Sequence, residues 1–405
     1  MPESPPLRLG IIAATFSGNR GAEAMLTVCI EQTRRRYPTA ECHVLTYSPK
    51  ADAAWCREHR PPGVFLHSCT PATLLLAWLP GGILCRLFPV LRASLRPRDG
   101  QGIRNLLELD GVVDLAGVAF MDGREKFLPF NVLTLLPFLL NRVPVVKLSQ
   151  ALGPITSWLN RCCAGWVLPR LTYLASRGRQ TSRFLEDFKL PAAKWNYAPD
   201  TAFLLELPAP PTAMDARNGI VFMPSSLMAK GRPGYVDLLV GTARVLRSRG
   251  FAVHLLAHSW KEGTDKPRNN DYPLCQHIHA ALGSPADMHL YGPGLDARAL
   301  KTALSGHRIA VTSRFHGMIA ALDTATPVWV LGWSHKYREV LAEFSVEDCA
   351  LKTETLDAER LAAIVAAGYA EATVRSERIA ARLGQVRAES LGQFDRLFQL
   401  LRPHD

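Results

Sequence analysis

The sequence predicts an α/β fold of two Rossmann-like domains that face a cleft, followed by C-terminal helices. Strand-like runs of Val, Ile and Leu alternate with amphipathic helical patterns through nearly all of the 405 residues. These runs show little alternation of polar and apolar residues, which is typical of parallel strands covered on both faces. A proline-rich stretch without periodicity, residues 206–219, separates the two halves and is expected to link them.

The predicted elements divide the chain into residues 1–207, 208–355 and a helical tail, 356–405. Strands are predicted at 7–13, 42–46, 112–118, 143–148 and 172–176, then at 220–223, 253–257, 288–290, 309–312 and 328–331. Helices are predicted at 22–36, 127–141, 182–188, 235–249, 272–282, 297–304, 318–323, 354–367 and 371–401. Ligands of such sheets bind at the carboxyl ends of the strands, so the loops after strands are expected to carry the chemistry.

Charge and cysteine content narrow the classes of function. The chain has 47 Lys and Arg against 36 Asp and Glu, a net charge of +11 that suits acidic partners. The basic residues are dispersed, without the dense runs of a nucleic-acid arm, so we expect no nucleic-acid partner. Nine cysteines without a C-x-x-C pair indicate neither a disulfide framework nor a zinc site. With no signal-peptide pattern at the N-terminus, we expect a cytoplasmic chain.

One segment suggests contact with a membrane. Residues 61–85 contain no Asp, Glu, Lys or Arg, and four arginines follow by residue 98. Prolines and a Gly-Gly pair interrupt the segment, which argues against a membrane-spanning helix. Two interpretations stay open. Residues 61–98 could make a peripheral contact with the inner face of the plasma membrane, or 61–85 could be a buried connection between strands.

The first loop after a strand, TFSGNRGAEAM, is rich in glycine. Gly18 and Gly21 permit a tight turn before a helix start, and Asn19 and Glu23 are polar groups that could hold sugar hydroxyls, with Glu23 as a base. The glycine spacing matches neither a dinucleotide fingerprint nor a phosphate-binding P-loop. The alternative is a simple helix cap with an acid in the first turn.

The loop TSRFHGMIAAL, 312–322, is the most informative. Arg314 and His316 lie two residues apart where a strand ends and a helix begins, which predicts an anion site containing a titratable imidazole. The alternative is a histidine that caps the helix. In another such loop, Arg177 and Arg179 bring guanidinium groups near a helix start, with a solvated basic face as the alternative.

Two further segments add candidates. In LGWSHKYREV, His335 and Lys336 could reach the same cleft, and Trp333 and Tyr337 are flat surfaces for a sugar. His258 ends another strand, where a structural hydrogen-bonding role is the more common one. The absence of a D-x-D motif argues against a metal-bridged diphosphate.

Taken in order, these loops resemble the polysaccharide pyruvyl transferase family. The matching segments, over about residues 8–345, are GNRGAEAM, SQALGPI, the arginine loop before TSRFLEDFKL, PDTAFLL and SRFHGMIAALDTATPVWVLGWSHKY. The resemblance implies a GT-B-like fold, phosphoenolpyruvate as the donor and a sugar of a cell-envelope polysaccharide or glycolipid as the acceptor. The product it implies is a cyclic pyruvate ketal, formed with release of phosphate.

The resemblance also implies roles for individual residues. The family's R-x-H pair falls on Arg314 and His316, and its N-domain donor-binding arginine falls on Arg177, with Arg179 as the alternative. From the chemistry of the residues themselves, we expect His316 to protonate the donor and Lys336 to bind its phosphate. On this basis residues 1–207 form the acceptor side and 208–355 the donor side. The acceptor-binding candidates are Asn19, Gly21, Glu23 and Trp333.

The implied reaction requires no metal or cofactor beyond phosphoenolpyruvate as co-substrate, and the apolar segment suggests a lipid-linked acceptor.

Two other functions remain open at this point. The alternative enzyme is a nucleotide-sugar-dependent GT-B glycosyltransferase, although no acidic residue is clearly placed for a ribose. The non-enzymatic alternative is a peripheral membrane scaffold anchored through residues 61–98.

Overall fold

The computed structural model describes residues 5–89, 103–260, 270–332 and 335–401, and it confirms the predicted α/β class. The chain forms two compact units, each built on a parallel sheet. Unit 1 takes its described residues from Met1–Phe16, Met25–Thr201 and Glu389–Asp405. Unit 2 takes them from Ser17–Ala24 and Ala202–Ala388. The main boundary lies a few residues before the expected 207/208, and the early segment 17–24 belongs to unit 2.

The sheet of unit 1 runs in the order β4-β3-β1-β5-β7-β8-β9, with β6 paired to β7, and every pairing is parallel. Its strands are β1 Arg8–Ile12, β3 Glu41–Thr46, β4 Val64–Ser68, β5 Gly111–Asp114, β6 Val118–Ala119, β7 Val145–Leu152, β8 Tyr173–Ser176 and β9 Trp195–Tyr197. The central strands β5 and β7 are buried along their whole length, as apolar runs covered by helices on both faces require. The strand order reverses between β1 and β5.

The α-helices of unit 1 cover this sheet. They are Pro49–His59, Pro71–Thr73, Leu79–Leu87, Ile103–Leu107, Leu128–Leu133, Leu136–Leu140, Trp158–Val167 and Arg179–Asp187. Two longer helices are divided between the units: Arg20–Arg36 belongs to unit 1 from Met25 onward, and Ala372–Leu401 belongs to it from Glu389 onward.

The sheet of unit 2 is also parallel and runs β13-β11-β10-β14-β15-β16. Its strands are β10 Ile220–Met223, β11 Val253–Leu256, β13 Leu290–Tyr291, β14 Ile309–Thr312, β15 Val328–Leu331 and β16 Ala350–Leu351. Its helices are Ser226–Gly231, Tyr235–Ser248, Tyr272–Ala281, Ala297–Ser305, Phe315–Asp323, His335–Glu343 and Ala358–Ala370. The strand order reverses between β10 and β14, which is where open α/β sheets bind their ligands.

A separate two-stranded pairing belongs to unit 2. The short strand β2, Gly18–Asn19, pairs antiparallel with β12, Ser259–Trp260, through Ser259 opposite Asn19 and Trp260 opposite Gly18. This pairing attaches the glycine-rich segment 17–24 to unit 2.

Two predicted elements are divided in the structure, each for a local reason. The strand predicted at 112–118 becomes β5 and β6, because the Asp114 carboxylate accepts the Ala116 N–H at 2.8 Å and turns the chain. The helix predicted at 127–141 becomes two helices. Pro137, near the start of the second, has no N–H to continue the first.

The uncharged segment is helical through its prolines, contrary to the expected interruption. Residues 71–87 form an α-turn, a π-helix at Leu74–Trp78 and the α-helix Leu79–Leu87. Pro80 stands at the start of that α-helix, the position at which a missing N–H is tolerated. Among the helices of the described residues, none combines the length and apolar character needed to cross a bilayer.

Candidate active site

The loop after β14 lies at the point where the strand order of unit 2 reverses. Met223 of β10 and Thr312 of β14 are level in the sheet, and the Ser313 N–H donates to the Met223 carbonyl at 3.1 Å. Arg314 is extended and caps the helix Phe315–Asp323, so His316 is the second residue of that helix. The predicted coincidence of an arginine, a histidine and a helix start is therefore present in the structure.

Arg314 is held by a buried carboxylate. Its Nη2 donates to Oδ1 of Asp271, a fully buried residue, while the Arg314 side chain remains 14% exposed. Asp271 also accepts the N–H groups of Ser226 at 2.9 Å and Ser259 at 3.0 Å. Because Asp271 joins three segments, it fixes the guanidinium relative to the strands β10 and β12.

Two tyrosines brace the backbone in front of Arg314. The Tyr235 hydroxyl donates to Ser313 Oγ at 2.7 Å and accepts the Ser225 N–H at 3.2 Å. The Tyr337 hydroxyl donates to the Ser313 carbonyl at 3.3 Å. Burial raises the pKa of Tyr337 to about 12, so this hydroxyl keeps its proton and its donor role. Tyr337 is buried and packs on Phe315, which is an internal brace where the sequence suggested an open surface for a sugar.

The glycine-rich segment lies against the same helix start. Asn19 Oδ1 accepts the Gly21 N–H at 3.1 Å, which turns the chain into the helix Arg20–Arg36. A Cβ placed on Gly21 would lie 2.1 Å from Nδ1 of His316. Gly21 and His316, expected on the acceptor and donor sides respectively, are therefore direct neighbours within unit 2.

Arg20 and Glu23 form a buried ion pair beside this contact. Arg20 Nη1 donates to Glu23 Oε2 at 2.5 Å, and the two residues are 7% and 1% exposed. Glu23 also accepts a backbone hydrogen bond from Ala297, at the start of the helix Ala297–Ser305. Burial raises the pKa of the Glu23 carboxyl to about 7, although Arg20 opposes that shift.

His258 completes the group. Burial holds its pKa well below the ordinary value, and the positive charges of Arg314, His316 and Arg20 act in the same direction. Its Nδ1 is fully buried and has no hydrogen-bond partner among the residues that the structure describes. With Arg20, Gly21 and His316, it lines a small cavity of about 20 Å³, room for a single water molecule.

These residues make a chemically coherent group. Unit 2 brings together two guanidinium groups, Arg20 and Arg314, and two imidazoles, His258 and His316. The buried carboxylates of Glu23 and Asp271 pair with the two arginines. Such a group can bind an anion, and Glu23, with a pKa of about 7, can exchange protons near neutral pH. Among the described residues, no three His, Cys, Asp or Glu side chains are grouped so as to hold a metal ion.

The other candidates of the second half are placed as follows. Lys336 is half-buried, and its Nζ lies 4.8 Å from the centre of the Phe315 ring, which brings its charge to the same helix start. Trp333 lies outside the described residues. His335 begins the helix His335–Glu343, and only its backbone position is described.

Arg177 belongs to unit 1. It follows β8, is buried, donates through Nη1 to Asp200 and gives its Nη2 to the Gly117 carbonyl at 2.6 Å. Asp200 lies in the PDTAFLL segment, so the sequence had marked both partners without pairing them. Arg179, the alternative, is exposed at the first position of the helix Arg179–Asp187.

Sequence reasoning missed two members of the site. Arg20 stood unremarked inside the GNRGAE segment, although an acid three residues later in a helix is a pairing signal. Asp271 follows a long stretch with no recognised motif, and only the tertiary structure brings it to Arg314. His258 was noticed at its strand end but was expected to act structurally.

Comparisons with known proteins identify the family and the fold. The sequence model of the family described as "Polysaccharide pyruvyl transferase" matches residues 19–335, more than half of the chain, and confirms the resemblance. No curated protein matches the chain.

Solved structures share the fold. The UDP-GlcNAc 2-epimerase from Neisseria meningitidis bound to UDP-GlcNAc has a TM-score of 0.60 and 11% identity, covering 97% of this chain and 99% of that one. S. aureus MnaA with UDP has a TM-score of 0.59 and 12% identity, covering 98% of each chain. Anabaena Alr3699/HepE in complex with UDP and glucose has a TM-score of 0.51 and 13% identity, covering 98% of each chain. At these identities the likeness establishes the GT-B-like fold of two Rossmann-like domains.

Proposed function

Because the chain belongs to the polysaccharide pyruvyl transferase family, we propose that it uses phosphoenolpyruvate to build a cyclic pyruvate ketal on a sugar. The acceptor in this proposal is a sugar of a cell-envelope polysaccharide or glycolipid, and phosphate is released. The observation that carries the proposal is that Arg314 and His316 stand together at a helix start. This helix begins where the strand order of unit 2 reverses.

The donor is a small molecule with a carboxylate and a phosphate, and the site offers matching cations. The Arg314 guanidinium and the N–H groups of the following helix bind one anionic group in this proposal, and Lys336 binds the phosphate. We also assign Arg177 to donor binding, on the family resemblance alone.

His316 is the proposed acid of the first chemical step. Its imidazolium gives a proton to the methylene carbon of phosphoenolpyruvate, which leaves C2 electrophilic. A first sugar hydroxyl adds to C2 and loses its proton to Glu23. A second hydroxyl then attacks C2, its proton leaves with the departing phosphate, and the ketal ring closes. A pKa near 7 suits Glu23 to the role of base at neutral pH.

Acceptor binding is assigned to the same segment. Asn19 is exposed beside the turn that begins the helix Arg20–Arg36, and its amide is available to sugar hydroxyls as well as to Gly21. We add Trp333 as a flat surface for the sugar ring, as the sequence suggested.

A phosphate-release assay tests the whole proposal. The purified chain is incubated with phosphoenolpyruvate and glycans from the host envelope, and the products are examined by mass spectrometry for the pyruvate increment. Phosphate release that depends on the acceptor, together with that increment, supports the proposal. UDP-glucose and UDP-GlcNAc serve as competing donors, since the structural neighbours were crystallised with UDP or UDP-sugars. Nucleoside diphosphate release from either one would favour the glycosyltransferase alternative.

The variant His316→Ala tests the acid. We expect turnover to fall by about 10²–10⁴-fold, the usual contribution of general acid–base catalysis, while phosphoenolpyruvate still binds. The measurements are the initial rate of phosphate release and donor binding by calorimetry. His277→Ala, at an exposed histidine of the same unit, is the control. Near wild-type turnover in His316→Ala would remove the acid role.

We also propose peripheral contact with the membrane, through one face of residues 71–87. Leu74 and Trp78 pack in the core of unit 1, which agrees with a buried connection. The opposite face exposes large apolar side chains: Leu75 at 52%, Leu76 at 81%, Ile83 at 42%, Leu84 at 43% and Leu87 at 64%. Arg86 is exposed beside them, and further arginines follow in the sequence, outside the described residues. An apolar face next to arginines suits an anionic lipid surface and a lipid-linked acceptor.

The variant Leu76→Glu tests this contact. It places a charge at the most exposed position of the face, so we expect binding to vesicles containing phosphatidylglycerol to weaken about tenfold. The measurement is co-sedimentation, and Val374→Glu, also at an exposed apolar residue, is the control. Equal vesicle binding by both variants and the wild type would contradict the proposal.

A further inference from the structure

The ring of His316 packs on the backbone of Gly21 more closely than any side chain at position 21 would allow. A Cβ there would lie 2.1 Å from Nδ1, 2.2 Å from Cγ and 2.7 Å from Cβ of His316. Cβ atoms essentially never approach other heavy atoms within 3.0 Å. The three neighbouring atoms belong to the base of the imidazole, which cannot swing aside as the end of a long side chain can. Position 21 therefore has to be glycine for His316 to keep this place.

The backbone gives no other reason for glycine at this position. Gly21 is the second residue of the helix Arg20–Arg36, and its φ is not positive. Glycine is the poorest helix former after proline, so alanine would suit the helix better. The contact with His316 is the feature of the structure that explains the residue.

The segments that carry Gly21 and His316 are also linked by hydrogen bonds through a third segment, the strand β12. Strand β2 pairs with β12 through Ser259, and the Ser259 N–H donates to Asp271 at 3.0 Å. Asp271 in turn accepts from Arg314, two residues before His316. Because β12 pairs with the Gly21 segment and is bonded to the same Asp271 that holds Arg314, Gly21 cannot retreat freely from the imidazole.

We propose that Gly21 is a positioning residue for His316. Because Gly21 has no side chain, the imidazole packs directly on its backbone, and this contact sets the orientation of the ring. This inference assigns the GNRGAE segment to the proton donor rather than to acceptor binding alone. For its effect on turnover it rests on the proposed function, but the contact itself does not. A displacement of about 1 Å at a catalytic group can cost about 100-fold in rate.

The test replaces Gly21 with alanine. We expect Gly21→Ala to lower kcat for phosphate release about 100-fold while KM for the acceptor changes less than threefold. Gly231→Ala and Gly292→Ala are matched controls, because a Cβ at either position meets no atom within 4 Å and neither has a positive φ. A kcat in Gly21→Ala equal to that of the two controls would overturn the proposal.

A second readout does not depend on activity. Histidines labelled with ¹⁵N are followed by NMR, and the His316 ring signals are identified by their loss in His316→Ala. The proposal expects these signals to move in Gly21→Ala and to stay in place in both control variants. Unmoved His316 signals in Gly21→Ala overturn it. Should the wild type release no phosphate from phosphoenolpyruvate, the proposed function fails while this measurement still decides the positioning role.

A double variant covers the case in which Gly21→Ala is poorly folded. Replacing His316 by glycine removes the three atoms that lie nearest to the new Cβ. We therefore expect Gly21→Ala/His316→Gly to recover most of the unfolding temperature that Gly21→Ala loses. A double variant as unstable as Gly21→Ala would show that the strain lies elsewhere and would overturn the proposal.

Discussion

Arg314 differs from an ordinary surface arginine because one side of its guanidinium is committed to the buried Asp271. A carboxylate with no exposure needs that cation, since an unpaired buried charge costs several kcal/mol. The same pairing fixes the plane of the guanidinium, and a planar guanidinium matches a carboxylate or a phosphate as a fork. In the proposed function, Arg314 therefore serves both stability and donor binding.

The variant Arg314→Lys separates these two roles. Lysine keeps the charge for Asp271, so we expect the unfolding temperature to change little. Its single ammonium group cannot satisfy Asp271 and also form a fork on the donor, so KM for phosphoenolpyruvate should rise at least about tenfold. Saturation kinetics and thermal unfolding measure the two effects, with the exposed Arg244→Lys as control. Unchanged donor saturation would count against Arg314 as a donor ligand.

At the scale of elements, the sequence predicted best where burial alone determines structure. The strands β10, β14 and β15 have the predicted bounds, because four consecutive buried residues, all apolar except Thr312, leave little choice of conformation. The edge strand β4 was missed, since only one of its five residues is buried. The helix at residues 71–87 was obscured by its prolines, which stand at the starts of its α-helical parts, where a missing N–H is tolerated.

In the candidate site, local features could be predicted from the sequence, and contacts between distant segments could not. Arg314 and His316 could be found from the sequence, because a strand, two chemically active residues and a helix start are local features. The Gly21–His316 contact and the Asp271–Arg314 pair could not, since each joins segments far apart in the chain. The reduced exposure of Glu23, and with it the raised pKa of its carboxyl, likewise depends on packing against the helix Ala297–Ser305.

At the scale of the whole molecule, the chain does not divide into units at one point. Eight residues, Ser17–Ala24, are contributed to unit 2 before the chain returns to unit 1 at Met25. As a result, Asn19, Gly21 and Glu23 belong to the same unit as Arg314 and His316. The proposed proton donor His316, the proposed base Glu23 and the proposed acceptor contact Asn19 can therefore be positioned by one folded unit.

Both units also bury histidines in a neutral state, which makes acid stability a property of the whole molecule. Burial lowers the pKa of His67 in unit 1 and of His307 in unit 2 to about 4, and His43 and His254 beside them act in the same direction. Unfolded, these histidines have a pKa near 6.5, so between pH 6.5 and 4 the unfolded chain binds more protons. The stability they contribute is complete above about pH 6.5 and is lost as the pH falls towards 4. Glu23 acts oppositely: with a folded pKa near 7, its contribution is complete below about pH 4.5 and is lost as the pH rises through 7.

We therefore expect the unfolding temperature to fall as the pH is lowered from 6.5 to 4, because the histidines whose pKa is lowered by burial outnumber Glu23 and Asp323, the carboxyls whose pKa is raised by burial. A single such histidine is worth up to about 3 kcal/mol over this range. The variant His307→Gln removes one titrating group, so calorimetric scans at several pH values should show a smaller fall than in the wild type. His277→Gln, at an exposed histidine, should leave the slope unchanged. Parallel slopes for His307→Gln and the wild type would mean that His307 titrates alike in the folded and unfolded chain, and its burial would then have no part in the acid sensitivity.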